Sequence, residues 1–177
     1  MEVQMKWVLC PSVSQHRFKK EKTMRSYIFI AARHGEYDRT FNLNDKGKKQ
    51  MKDLAAAVKE VVNGHDMKIS LLCSTAPRAE QGGRILIEEL NPQGEVIFAE
   101  CLWADKRHPA DYEKAKQFVE PLLQDGMLVL VLSHFDLVPH LASFAAVKLG
   151  VSAKLSETSY GEGWLVTPED AFLFPRV

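Results

Sequence analysis

Apolar residues follow two rhythms along this chain. Tyr27 to Ala32, Lys68 to Ser74 and Met127 to Ser133 are short runs rich in apolar residues, the pattern of strands covered on both faces. Between them apolar positions recur every three or four residues, as in a helix with one buried stripe. In the first such segment Met51, Leu54, Ala55, Val58, Val61 and Val62 share a face, and lysines hold the opposite one. Asn44 stands where an N-cap belongs and Asn63 with Gly64 supplies a stop, so a helix is predicted from about Asn44 to Val62.

A second helix is predicted from about Arg78 to Leu90 with Pro77 at an early position. Asn91, Pro92 and Gly94 break it before a short strand over Glu95 to Ala99. Pro109 is predicted to open a third helix reaching about Leu123, with Tyr112, Ala115 and Val119 on its stripe and Pro121 kinking or ending it. A fourth runs from Pro139 to Leu149 and stops at Gly150. Gly163 to Thr167 and Ala171 to Phe174 read as terminal strands joined by a turn at Pro168 to Asp170. Strands alternating with helices predict an α/β fold, a three-layer α/β/α sandwich around a mostly parallel central sheet.

Length and charge narrow the functions open to such a fold. The 177 residues suffice for one domain with a continuous core and no metal or disulfide staples. The 23 basic and 23 acidic side chains cancel, so bulk electrostatics points to no nucleic acid and no anionic membrane as partner, and any anion binding must be local. No apolar run reaches membrane-spanning length, and the apolar and basic residues near the start come in the wrong order for a secretory signal. Cys10, Cys73 and Cys101 are an odd number without a close-spaced pair, which argues against a disulfide framework or a zinc knuckle and suits a reducing cytoplasm. Residues 1–25, with Arg17, Lys19, Lys20, Lys22 and Arg25, read as a solvated or partly disordered basic arm before a domain over 26–177.

The candidate chemistry gathers at the strand ends. Arg33, His34 and Gly35 follow the first strand, Arg78 follows the second, and His134 follows the run Met127 to Ser133. Ligands of open α/β sheets collect outside the carboxyl ends of the strands, and these groups meet there only if their strands are neighbours. Two guanidinium forks suit phosphoryl oxygens better than lysines would. One imidazole would attack phosphorus and the other, protonated, would donate to its oxygens, with a covalent phosphohistidine between the two half-reactions. Gly35 would keep Cβ bulk away from the phosphate. Any one of these histidines alone is more simply a surface or capping residue; it is their joint placement with two arginines that marks a site. His16, His65, His108 and His140 lack that context. No compact set of histidines or carboxylates shows ligand spacing, the pair His134 and Asp136 being insufficient, so neither a metal nor another cofactor is expected.

These motifs carry a resemblance. Arg33-His34-Gly35-Glu36 resembles the signature of the histidine phosphatase, or phosphoglycerate-mutase-like, superfamily. Cys73 to Gln81 is similar to its second block and Val131-Leu132-Ser133-His134 to its third, in the family's order over roughly residues 26 to 177. The resemblance implies a phosphoglycerate mutase-like fold with one antiparallel strand, His34 as the phosphorylated nucleophile, Arg33 and Arg78 as phosphate-binding arginines and His134 as the second catalytic histidine. Gly82 and Gly83 stand where the family often has threonine, and Phe135, Asp136 and Leu137 stand where glycines often follow the last histidine, which is closer to short phosphohistidine phosphatases.

Many relatives carry an acid after the third strand, so the resemblance offers Glu100 or Asp105 as proton donor, provided that the pocket raises its pKa. Glu36 and Asp136 are weaker alternatives. The chain lacks the length of the family's mutases, which favours hydrolysis of a phosphorylated small molecule or phosphoprotein, with protein phosphohistidine the leading substrate. The competing reading is a binding module that holds phosphorylated ligands in the same pocket. Trp103, Trp164 and Phe135 could line that pocket, although core packing is the simpler role for each.

Overall fold

The computed structural model describes residues 26–175; the basic arm predicted over 1–25 lies outside the described residues. The chain runs β1 (Ile28–Arg33), α1 (Asp45–Val62), β2 (Lys68–Ser74), α2 (Pro77–Leu90), β3 (Val96–Ala99), α3 (Tyr112–Val119), β4 (Met127–Ser133), α4 (Leu137–Leu149), β5 (Gly163–Val166) and β6 (Ala171–Phe174). The strands form one sheet in the order β3-β2-β4-β1-β5-β6. β4 pairs in parallel with β1 on one side and β2 on the other, and β3 extends β2 in parallel. β5 is antiparallel to both β1 and β6, so it alone runs against the rest. This is the α/β fold with a mostly parallel central sheet that the alternating pattern predicts.

β4 sits between β1 and β2 because its sequence, MLVLVLS, has an apolar group for each face. Leu128, Leu130 and Leu132 join the core made with Met51, Leu54 and Val58 of α1 and Leu86 of α2. Val129 and Val131 join the opposite core, with Val119 of α3 and Leu141 and Ala145 of α4. A strand buried on both faces in this way is the interior strand of a parallel sheet. Truncating one of its leucines to alanine would cost about 2–5 kcal/mol.

The register then sets the site. Arg33 pairs with Ser133 and Cys73 with Leu132, so β1, β2 and β4 end at one level. α2 packs closely against these ends through glycines: a Cβ at Gly83 would meet Cys73 Sγ at 2.5 Å, and one at Gly82 would meet Leu132 Cδ2 at 2.9 Å. That approach gives a physical reason for two glycines one turn after Arg78.

Two helix starts differ from expectation. α3 begins at Tyr112, because Asp111 caps it by accepting from the Lys114 N–H, and Pro109 lies outside. It ends at Val119 and passes into a 3-10 turn over Glu120–Leu122 that contains Pro121, whose missing N–H cannot continue an α-helix. α4 begins at Leu137, where the N–H groups of Leu137 and Val138 both donate to His134 O at 3.1 Å. Pro139 falls in its first turn, where a backbone N–H would have no helical partner. Cys73 and Cys101 are buried free thiols. Among the described residues no helix is long and apolar enough to cross a membrane.

Candidate active site

Backbone bonding draws the two histidines together before their side chains do. The His34 N–H donates to Ser133 O at 3.1 Å, which fixes the end of β1 beside the end of β4. Their rings lie 4.9 Å apart between centroids and are inclined by 67°. From the other side β2 turns through Ser74 to Ala76, with the Ala76 N–H donating to Ser74 Oγ at 3.2 Å, and delivers Arg78 on the first turn of α2. His34, Arg78 and His134 are each at most 5% exposed.

Their hydrogen bonds define the protonation states. Arg78 Nε donates to His34 Nε2 at 2.9 Å. A guanidinium has no acceptor to offer, so this nitrogen of His34 carries its lone pair and the proton sits on Nδ1, which donates to Gly35 O at 2.8 Å. Arg78 Nη2 lies 3.2 Å from His134 Nδ1, which makes that nitrogen an acceptor too and leaves His134 Nε2–H to donate to Ser74 Oγ at 2.8 Å. Both imidazoles are therefore neutral. Burial is the main cause for His34; the charges of Arg78 and Arg33 add to it, the bond to Gly35 opposes it, and the result is a pKa lowered to about 3. Burial likewise lowers His134, helped by His34 and Arg78 and opposed by Asp105.

Asp105 is the acid that the fold delivers. Its Oδ2 stands 3.8 Å from Arg78 Nη2 and accepts from Trp103 Nε1 at 2.7 Å. Its Oδ1 accepts from the Arg107 N–H at 2.8 Å and the His108 N–H at 3.0 Å, with His108 Nδ1 at 3.1 Å. Desolvation pushes this carboxyl up, but the donors, led by Trp103, outweigh it and hold it well below the usual carboxylate range. The raised pKa expected of a proton donor is thus not found at Asp105, which is an ionised anchor beside Arg78. Glu100 is exposed in the 3-10 turn Glu100–Leu102, where its backbone carbonyl accepts from the Trp103 N–H at 2.9 Å but its carboxylate makes no hydrogen bond to His34, Arg78 or His134.

Arg33 is turned aside. Its Nη1 donates to Thr158 O at 3.1 Å, and its guanidinium carbon lies 3.8 Å from the centre of the Tyr160 ring and 5.1 Å from that of Phe135. Arg33 Nε is buried without a hydrogen-bond partner. So Arg33 contributes positive charge to both imidazoles, but it bonds to neither of them. Gly35 has a packing reason as well: a Cβ there would meet Gly47 O at 2.4 Å, so the space is taken by the start of α1.

Ser74, Tyr37 and Tyr160 complete the surroundings and were not singled out from the sequence as site residues. Tyr37 and Tyr160 cover His34, with ring centroids 5.4 Å and 5.7 Å from its own, and Arg78 lies 4.9 Å from the Tyr37 ring. Ser74 had a signal, being a polar residue closing an apolar strand. Tyr160 lies in the irregular stretch after α4 and had none. His108, set aside for want of context, orders the Asp105 turn, and Trp103 holds its carboxylate. Trp164 stays in the core with its indole N–H on Ser156 O. Among the described residues no group of three or more His, Cys, Asp or Glu could hold a metal ion.

Solved structures match this architecture over most of the chain. The protein histidine phosphatase SixA in complex with tungstate superposes with a TM-score of 0.57 at 18% identity, covering 82% of this chain and 93% of that one. The fold is that of the histidine phosphatases. A mycobacterial glucosyl-3-phosphoglycerate phosphatase in complex with VO3 gives a TM-score of 0.55 at 15% identity, covering 86% of this chain and 98% of that one. A Plasmodium falciparum phosphoglycerate mutase gives 0.53 at 15% identity, covering 85% and 90%. No family model matches the sequence, and no curated protein does.

Proposed function

We propose that this chain is a phosphatase that works through a phosphohistidine on His34, acting without a metal on protein phosphohistidine or small phosphomonoesters in a cytoplasmic setting. The observation that carries the reading is the unbroken chain of bonds from His34 Nε2 through Arg78 to His134 at the ends of β1, α2 and β4. An incoming phosphoryl oxygen takes the Arg78 N–H and so frees the His34 lone pair to attack phosphorus. The bond from phosphorus to the leaving group breaks with its electron pair passing to that group, while the charges of Arg78 and Arg33 and the Nε2–H of neutral His134 stabilise the phosphoryl oxygens. Water then bonds to phosphorus, the P–Nε2 bond breaks with its electron pair returning to Nε2 so that His34 is restored, and the water's proton leaves on the inorganic phosphate. Because Asp105 is ionised in the free protein, the leaving groups that suit the site need little help from a proton donor, and acidic phenols and an imidazole already protonated on its other nitrogen are of that kind.

The test is to incubate the protein with a phosphohistidine peptide and with an aryl phosphate, quench in alkali and map the label. Turnover with a phosphoryl group on His34, both lost in His34→Ala, is the expected result. Binding without turnover would replace this reading by that of a phospho-ligand binding module. Turnover without label on His34 would require another nucleophile.

A further inference from the structure

Beside the His34 centre a cavity of about 510 Å³ opens between the loop after β1 and the turn after β3. The sheet order sets β1 and β3 on opposite sides of β2, and Pro77 and Arg78 line the cavity between the two segments. On the β1 side Tyr37 and Phe41 are stacked, 6.2 Å between centroids and inclined by 22°. On the β3 side Trp103 and His108 are stacked at 4.2 Å and 29°. Phe41 is 54% exposed and has a φ of 64°, a conformation that a bulky side chain adopts only under constraint. The constraint is visible. Asp38 Oδ1 accepts from the Thr40 N–H at 2.8 Å and from Thr40 Oγ1 at 2.6 Å, and the Phe41 N–H donates to Asp38 O at 3.1 Å. Gln81 of α2 ties the loop down by accepting from the Leu43 N–H at 2.9 Å and donating to Asn42 Oδ1. An exposed ring fixed in a strained backbone by this many bonds is presented to something.

Charge at the rim points the same way. The chain as a whole is neutral, yet Lys106 and Arg107 are exposed at this mouth and form no ion pair among the described residues. Asp105, the one carboxylate lining the cavity among the described residues, is already committed to Trp103, His108 and the Arg78 side. A phosphoryl group at His34 would leave the cavity itself empty, and its volume lies within the range of about 300–1,000 Å³ usual for small-molecule sites.

We infer that this cavity selects the leaving group, taking one built on a planar ring that carries a second negative charge. The ring packs against the aromatic walls and the second anion meets Lys106 and Arg107. The inference rests on the phosphatase reading, and the ring with its charge would come either from a phosphohistidine in an acidic protein segment or from a small aromatic phosphate.

Phosphonates test it on the intact chain, since their P–C bond is not hydrolysed. Butylphosphonate, benzylphosphonate and 4-carboxybenzylphosphonate are compared by calorimetry. Benzylphosphonate is expected to bind about tenfold tighter than butylphosphonate, the scale of one well-made aromatic contact. The carboxylate is expected to add up to about fivefold, an advantage that shrinks as salt screens it. Phe41→Ala should remove most of the first step, and Lys106→Glu with Arg107→Glu should reverse the second. Equal affinities for the three ligands, or steps that survive in the variants, would overturn the inference. Turnover of acetyl phosphate, whose leaving group is good but carries no ring, tests the phosphatase reading separately on the intact chain, because His34-dependent turnover with no steps would sink only the selectivity. A phosphohistidine peptide flanked by glutamates, compared with free 4-carboxyphenyl phosphate, separates the two sources by whichever loses more affinity in the Lys106/Arg107 double variant.

Discussion

Arg78 Nε donates to His34 Nε2 across 2.9 Å, so in the free protein the nitrogen with the lone pair is already engaged. The same guanidinium reaches His134 at 3.2 Å and Asp105 at 3.8 Å. One side chain thus couples two imidazoles to a carboxylate. A phosphoryl dianion is a stronger acceptor than an imidazole, because both partners are then charged. Exchange of that one donor from ring to phosphate would arm the nucleophile and bind the ligand together.

Removing Arg78 should therefore split two properties of His34. Arg78→Ala is expected to lower turnover by about 10²–10³, the usual cost of losing a donor to transition-state charge. It should also speed carbethoxylation of His34, read by peptide mass, because the lone pair is no longer engaged. Arg78→Lys restores charge without the fork and should recover only part of the turnover. Slower carbethoxylation in Arg78→Ala would contradict the bond's role.

The strand runs and the motif order made the sheet and three of the site groups legible in advance. His34, Arg78 and His134 meet because β4, the strand with apolar groups for both faces, must lie inside the sheet and so separates β1 from β2. Arg33 was legible as a cation at a strand end, but its direction was not. That direction depends on Thr158 and Tyr160, some 125 residues away along the chain. The state of Asp105 was hidden for a related reason. A carboxylate in a turn can be raised by burial or lowered by donors, and only the fold shows that Trp103 and His108 donate to it.

Asp105 as an ionised anchor predicts a different signature from a proton donor. Asp105→Asn keeps the shape but removes the charge facing Arg78. Turnover is expected to fall by about tenfold on aryl phosphates of low and high leaving-group pKa alike, the scale of one weakened charge-assisted bond. A general acid would instead show losses growing steeply with leaving-group pKa, often 10²-fold or more for poor leaving groups. A series of substituted phenyl phosphates read as kcat/KM decides between them.

The glycine at 35 is explained by the start of α1. A Cβ at 35 would meet Gly47 O at 2.4 Å, and one at Gly47 would meet Glu36 O at 1.9 Å, both rigid backbone atoms. Gly35→Ala and Gly47→Ala should each lower stability by about 1–3 kcal/mol through overpacking, measured by the urea midpoint. Gly64 has a φ of 81° and nothing within 4 Å of its missing Cβ, so Gly64→Ala should cost only about 1 kcal/mol of backbone strain. Equal effects at the three positions would show that crowding is not the cause.

Acid should unfold this protein through its two buried imidazoles. His34 has its pKa lowered to about 3 and His134 is lowered as well, chiefly by burial, while the unfolded chain keeps ordinary values near 6.5. Between those limits the unfolded state binds protons that the folded state refuses, so stability rises with pH and is lost as pH falls below about 6.5. Each imidazole should cost roughly 2 kcal/mol at pH 5, from about 1.4 kcal/mol per pH unit. Asp105, also lowered, adds its loss only further down, as pH passes below the ordinary carboxylate range. Denaturation midpoints at pH 7, 6 and 5 should therefore drop steadily. Replacing His34 by Gln removes one of the two proton sinks and should flatten the slope by about half, whatever it does to stability at pH 7. A midpoint unchanged from pH 7 to 5 would mean that both imidazoles take up protons in the native state, and the neutral pair bridged by Arg78 would have to be abandoned.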